Sequence, residues 1–317
     1  AEMWQQTKLV NPVVSIGYAT NPGARLIESA IVGNILALIT REKRVNIAEA
    51  QFRVAQHRAA ESLLRLAFET EKAWIKTVAA KETFNYLVQA QTAADASSDL
   101  AKELGRTGAF NKAVQAREHA GYAEITGQLA EARISERGSR EELNRLMGVW
   151  GNDINYKLPS ALPKLPGQTI VKTAIEREAL QKRVDLLIAK YELEAVARSH
   201  KLTNATRYLT DLEVMAGFER EKPRDGDPAE LEKRIELEFA IPIFDSGDAR
   251  LRKADFMYMQ AANRLAEKAV NIRSEARGAY DKYKSTYELA RHYRDKVVPL
   301  REIIKQEVLL EYNGMIS

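Results

Sequence analysis

A chain of 317 residues has room for two ordinary domains, but its charged fraction of 29% and aromatic fraction of 7% are those of long solvated helices rather than of a compact enzyme core. The net charge of +4 is mild, and no Lys/Arg block interleaved with aromatics accompanies it, which argues against a nucleic-acid partner. There are no cysteines, so disulfides, cysteine–zinc sites and thiol catalysis are excluded. The mean hydropathy is -0.38, and no apolar run approaches the ~18–20 residues that a membrane helix requires.

No secretory signal is visible at the start, and the chain opens mid-pattern at Ala1-Glu2-Met3-Trp4. Residues 12–19 alternate: Val14, Ile16 and Tyr18 take one face, Ser15, Gly17 and Ala19 the other. Asn21-Pro22-Gly23 signals a turn. A second strand is expected from about Leu26 to Ile39, with Ile27, Ile31 and Ile35 on one face against Glu28, Ala30, Val32 and Asn34.

From about Asn46 to Leu104 there is no proline or glycine, and the spacing predicts one very long helix. Leu63, Leu66, Ala67, Trp74, Ile75 and Val78 recur at helical spacing, so this rod needs partners, as in a coiled coil or bundle. Gly105-Arg106-Thr107-Gly108 breaks it. A second helix from about Lys112 to Met147 then completes an antiparallel hairpin. The prolines at 159, 163 and 166 mark an irregular linker, followed by a helix over roughly Ile170–Ser199.

The second half repeats this order. Leu212, Val214, Ala216 and Phe218 alternate with Asp211, Glu213, Met215 and Gly217. After the loop 221–228, Ile235, Leu237, Phe239, Ile241 and Ile243 alternate with Glu236, Glu238, Ala240 and Pro242. A second rod then runs to Tyr312-Asn313-Gly314, with a break expected at Pro299. The stretch Arg44-Val45-Asn46-Ile47-Ala48-Glu49-Ala50 recurs as Arg250-Leu251-Arg252-Lys253-Ala254-Asp255-Phe256, and the same register lays Gly108 on Gly314.

Strands of about ten residues with one apolar and one polar face suit a membrane barrel, with lipid outside and water inside. The same alternation suits a small soluble sheet resting on a core. Two facts favour the barrel. Glu28, Glu213, Glu236 and Glu238 would line one surface with little nearby basic compensation. Four strands also cannot close a barrel, and an open edge in lipid leaves backbone groups unpaired at several kcal/mol each, so oligomerisation must supply the closure.

Together these features resemble the outer-membrane efflux proteins, the TolC-like exit ducts of Gram-negative bacteria. Ile241-Pro242-Ile243-Phe244-Asp245-Ser246-Gly247 is similar to that family's strand-to-helix step; its first-copy counterpart, Ile35–Thr40, is degenerate. Gly105-Arg106-Thr107-Gly108 with Phe110, and Glu311-Tyr312-Asn313-Gly314-Met315, resemble the two hairpin tips. Arg183-Val184-Asp185-Leu186-Leu187 resembles a helix start, with Val184 in place of the usual proline, and Glu141–Gly148 resembles the end of the first hairpin. The resemblance spans the chain but leaves short the family's helix before the first strand and its returning helix after the second tip, as expected of part of a longer protein.

The resemblance implies a mainly α fold with a small β part, duplicated as two strands plus a long coiled-coil hairpin, its α/β barrel completed by trimerisation. The expected divisions are 1–45 and 206–245 as strand pairs, 46–150 as the first periplasmic hairpin, 151–205 as linker and helix, and 246–317 as the second periplasmic helix up to its tip. It implies a passive homotrimeric channel in outer-membrane lipid, carrying substrates from an inner-membrane pump through a periplasmic adaptor protein. A periplasmic adaptor and a soluble coiled-coil scaffold are the alternatives. Glu28, Asn34, Glu213, Glu236 and Glu238 are the candidate lumen residues, with a cation preference as the hypothesis. Gly105, Thr107, Gly108 and Gly314 are the candidate adaptor-docking tip, although glycine also simply ends helices. Trp74 and Trp150 have two places open to them, between helices or at an equatorial seam, and core packing is the expectation. The histidines at 57, 119, 200 and 292 show no metal-ligand spacing, and Asp225-Gly226-Asp227 lacks the rest of a calcium loop and reads as a turn. No grouping supports catalysis, a cofactor or a metal site.

Overall fold

The computed structural model describes residues 2–316, and all of their side chains except those of residues 2, 308, 309 and 311–316. The order is α1 (Glu2–Gln6), β1 (Val13–Thr20), β2 (Ala24–Asn34), α2 (Ile35–Ile39), α3 (Arg41–Arg106), α4 (Lys112–Met147), a 3-10 turn (Gly151–Ile154), α5 (Ile175–Lys182), α6 (Val184–Ala205), β3 (Leu212–Pro223), β4 (Glu230–Phe239), α7 (Asp248–His292), a π-helical turn (Tyr293–Val297) and α8 (Val298–Ile316). The duplication is present: a β-hairpin followed by a long helix occurs twice. The fold is mainly α with a small β part.

The chain divides into two units. The first, Ala1–Glu61 with Lys172–Tyr283, carries the sheet. Its strands lie in the order β1-β2-β3-β4, every neighbour antiparallel. Its helical part has a core of small and aliphatic side chains, among them Ala50, Val54, Leu186, Ile188, Ala195 and Ile272. Asp185 anchors this part. Burial pushes its carboxyl up, but the bidentate Arg183 guanidinium and the Lys268 ammonium pull it below the usual range.

The second unit is Ser62–Val171 with Lys284–Ser317. Here α3 and α4 form the antiparallel hairpin. Ala73, Thr77, Val78, Ala132, Ser139 and Leu143 are buried along their seam. Small residues allow close approach: the Thr77 hydroxyl lies 2.7 Å from the Ala73 carbonyl of its own helix and 2.9 Å from the Ser139 carbonyl of α4. At 66 residues, α3 is roughly 100 Å long by its rise per residue.

Several boundaries differ from the sequence expectation. β2 stops at Asn34, not Ile39, because the Asn34 side chain caps a helical turn by accepting from the Ala37 N–H at 2.7 Å. β4 runs from Glu230 and ends at Phe239, where its partner β3 begins at Leu212; Ile241 and Ile243 lie beyond it. The helix expected over Ile170–Ser199 is two helices, broken where Arg183 adopts extended backbone. The second rod is interrupted before Pro299, at Tyr293–Val297: proline offers no N–H and clashes with the carbonyl four residues back, so the preceding turn widens. Helix α3 begins at Arg41 and continues through Gly105 to Arg106. Trp74 is half-buried, but Trp150, expected in a core, is 82% exposed.

Candidate functional site

The register of the sheet sorts its side chains into two faces, since residues directly opposite in neighbouring strands share a face. One face carries Val14, Ile16 and Tyr18 of β1, Ile27 and Ile31 of β2, Val214 and Phe218 of β3, and Ile235, Leu237 and Phe239 of β4. These aliphatic groups are largely uncovered: Ile16 is 77% and Ile235 83% exposed. In water such a face would be a liability far beyond scattered surface apolars.

The opposite face carries all five predicted polar positions. Asn34, Glu213 and Glu238 lie in one row across β2, β3 and β4; Glu236 follows opposite Met215, and Glu28 lies opposite Gly17 and Glu219. The Asn34 amide nitrogen lies 3.3 Å from an Asp211 carboxylate oxygen and 3.5 Å from one of Glu213. Sequence reasoning missed Glu219, Glu221, Glu230 and Glu232, which the register puts on this same face. The signal was the parity of their positions in strands longer than expected. It also missed Arg234, a basic compensation on this face, which contacts Glu219 at 3.2 Å and Glu236 at 3.4 Å. Gly217 is required here, because a Cβ would lie 2.6 Å from the Ser29 carbonyl oxygen of β2.

Each hairpin leads into a helix by its own junction. At the first, α2 passes into α3 through buried Thr40, whose hydroxyl donates to the Leu36 carbonyl at 2.7 Å, while Arg44 donates to the Ala37 carbonyl at 2.8 Å. At the second, Gly247 has φ +77, and a Cβ there would meet the Arg207 carbonyl oxygen at 2.8 Å. The Gly247 N–H donates to Asp245 at 2.8 Å. Arg207 donates to the Ser246 carbonyl at 3.1 Å and pairs with Asp248. The Asp248 carboxyl sits below its usual range because the Ser246 hydroxyl donates to it and Arg207 and Arg252 are near.

At the first tip the glycine that turns the chain is Gly108, with φ +81, while Gly105 is still helical. The Leu104 carbonyl accepts from Ala109 at 2.9 Å and Phe110 at 3.2 Å, a left-handed helix stop. Asn111 then caps α4 by accepting from Val114 at 3.0 Å. Thr107 and Gly108 are exposed. Gly314 falls in α8, and its surroundings lie outside the described residues. His57 stacks on Tyr191, His119 meets Ser98 and His200 lies 2.6 Å from Asp255, each in a local packing contact. Among the described residues no group of His, Asp or Glu is arranged to hold a metal, and no helix is long and apolar enough to cross a membrane.

No protein-family model matches the sequence, and no curated protein matches it significantly. Solved structures do resemble it. The CmeC outer membrane channel of Campylobacter jejuni superposes with a TM-score of 0.77 at 17% identity, covering 98% of this chain and 70% of that one. The outer-membrane channel OprN gives 0.76 at 16%, covering 99% and 74%. The outer membrane protein VceC of Vibrio cholerae gives 0.73 at 16%, covering 99% and 78%. Across almost its whole length, this chain has the fold of the outer-membrane channels.

Proposed function

We propose that this chain is one subunit of a passive exit duct in the outer membrane of a Gram-negative bacterium. The single observation that carries the reading is the sheet: four strands, one exposed aliphatic face, one acidic face, and an unpaired edge on both β1 and β4. In lipid both edges must be paired, because each unsatisfied backbone group costs several kcal/mol. β4 runs antiparallel to β1, so β4 of one copy and β1 of the next continue the antiparallel order around a ring. Two copies would give about eight strands, whose interior side chains fill; three give a water-filled lumen. The subunit is therefore read as one third of a homotrimeric barrel.

In this reading the aliphatic face meets lipid, and Glu28, Asn34, Glu213, Glu236 and Glu238 line the lumen. The long helices extend the duct into the periplasm. Gly105, Thr107 and Gly108, with Gly314 of the second copy, face a periplasmic adaptor protein fed by an inner-membrane pump. The duct holds no cofactor and performs no chemistry; selection of cargo belongs to the pump. Rings of carboxylates favour cations, so Glu213→Gln/Glu236→Gln/Glu238→Gln should lower cation-over-anion permeability severalfold.

The test is assembly and conductance. Full-length protein purified in detergent should have the mass of three chains and open pores in planar bilayers. A monomer that forms no pores would overturn the proposal.

A further inference from the structure

The charges of the sheet are segregated by face. Every carboxylate in the strands points with the polar set, and so does Arg234, which is paired there. The remaining strand bases, Arg25, Arg220, Lys222 and Lys233, all lie on the aliphatic face. They are also gathered at one end of it, next to the hairpin turns 21–23 and 224–229; Val214, Leu237 and Ile31 occupy the helix-proximal end. All four are exposed. Arg25 stands directly opposite Lys222, and Arg220 opposite Ile27 and Leu231.

Like charges directly opposite one another in a sheet destabilise it. No strand carboxylate on this face offsets them, and the loop acids Asp225 and Asp227 lie outside the strands. A belt of bases at one border of an aliphatic band has the charge that phosphate-bearing head groups require, at the depth where such groups sit.

We propose that Arg25, Arg220, Lys222 and Lys233 form a binding site for phosphate-bearing lipid head groups in the leaflet bordering the hairpin turns. The inference rests on the reading that the aliphatic face meets lipid. The site takes phosphates through guanidinium and ammonium groups while the acyl chains lie along Ile16, Phe218 and Ile235. It fixes the depth of the barrel in the membrane as well as its annular lipid.

The test uses the full-length protein in phosphatidylcholine nanodiscs doped with lipid A, which carries two phosphates. Co-purified lipid is then counted after transfer to detergent. Wild type should retain lipid A over phosphatidylcholine on the order of tenfold above its mole fraction. The variant R25Q/R220Q/K222Q/K233Q should lose that preference, and Arg234→Gln, on the other face, should keep it. Should the fourfold variant not assemble, raising salt on wild type replaces it, and retained lipid A should fall as exposed charges are screened. Wild type without preference, retention that is indifferent to both the substitutions and salt, or displacement by millimolar inorganic phosphate would each overturn the site. Wild type that enters the bilayer yet shows no preference removes this inference alone; wild type that never enters it removes the duct as well.

Discussion

After β2 the chain turns straight into a helix at Asn34; after β4 it wanders through residues 240–247 before α7 begins. The two junctions occupy equivalent places in the duplication and use different chemistry. The first is closed by a side-chain cap and a buried threonine, with ordinary backbone throughout. The second is closed by a left-handed glycine pressed against the Arg207 backbone and by a cluster of charges, Arg207, Asp248 and Arg250. Duplicated topology therefore does not require duplicated local interactions; it requires only that each strand hand over to a helix at the same level of the sheet.

The comparison breaks most sharply at Gly247. A Cβ there meets both an unfavourable φ and a backbone carbonyl that no rotamer change can move. Gly247→Ala should destabilise the protein by about 3 kcal/mol, combining the left-handed penalty with the clash. The readout is the denaturant midpoint of the assembled protein. At the first junction the matching lesion is milder: Asn34→Ala removes one cap bond and should cost about 1 kcal/mol. Equal losses at the two sites would mean that the junctions are not chemically distinct.

Acid should separate them next. The Asp248 carboxyl is held below its ordinary value by the Ser246 hydroxyl and by Arg207 and Arg252. Such a group stabilises the fold when ionised, at pH above its unfolded value near 4, and that contribution is lost as pH falls through the lower folded value. Wild type should therefore melt above Asp248→Asn at pH 6, and the gap should close as pH drops below about 4. At the first junction the two closing bonds, Ala37 N–H to Asn34 and Thr40 hydroxyl to the Leu36 carbonyl, involve no ionisable group. The same sign holds elsewhere in this unit for Glu178, drawn down to about 2 by hydrogen bonds from Lys172 and Lys182.

How much of this was legible in the sequence follows from the same contrast. Alternation placed all four strands and put Glu28, Asn34, Glu213, Glu236 and Glu238 on one face, because parity in a strand survives errors at its ends. Gly-free and Pro-free length gave α3, and the glycine break at 105–108 gave α4 at its observed bounds. Strand ends were not legible, since Ile35–Ile39 and Ile241–Ile243 are as aliphatic as any strand. What ends those strands is a cap at Asn34 and the lack of a pairing partner beyond Leu212, both tertiary facts. Arg234 was missed because the expected strand began at Ile235; the observed β4 starts at Glu230, and Arg234 then meets Glu219 across the sheet and Glu236 two residues on in its own strand. The tip was half legible. Two glycines mark it, and only the left-handed φ of Gly108 tells which one turns the chain.

The smallest expected effect is the most discriminating. Gly33 immediately precedes the first junction, as Gly247 immediately precedes α7. Their surroundings differ: a Cβ on Gly33 meets nothing within 4 Å, and its φ is not positive. Replacing it with alanine removes unfolded-chain entropy without strain, so Gly33→Ala should be neutral or stabilising by about 0.5 kcal/mol. It also adds a methyl on the aliphatic face opposite Val214, where the added area is in lipid under the duct reading and in water otherwise. A denaturant midpoint that rises or holds for Gly33→Ala while collapsing for Gly247→Ala would establish that only the second junction depends on a glycine. A loss of 2 kcal/mol or so at Gly33 would mean that β2 needs a backbone shape at its end that Asn34 alone does not supply.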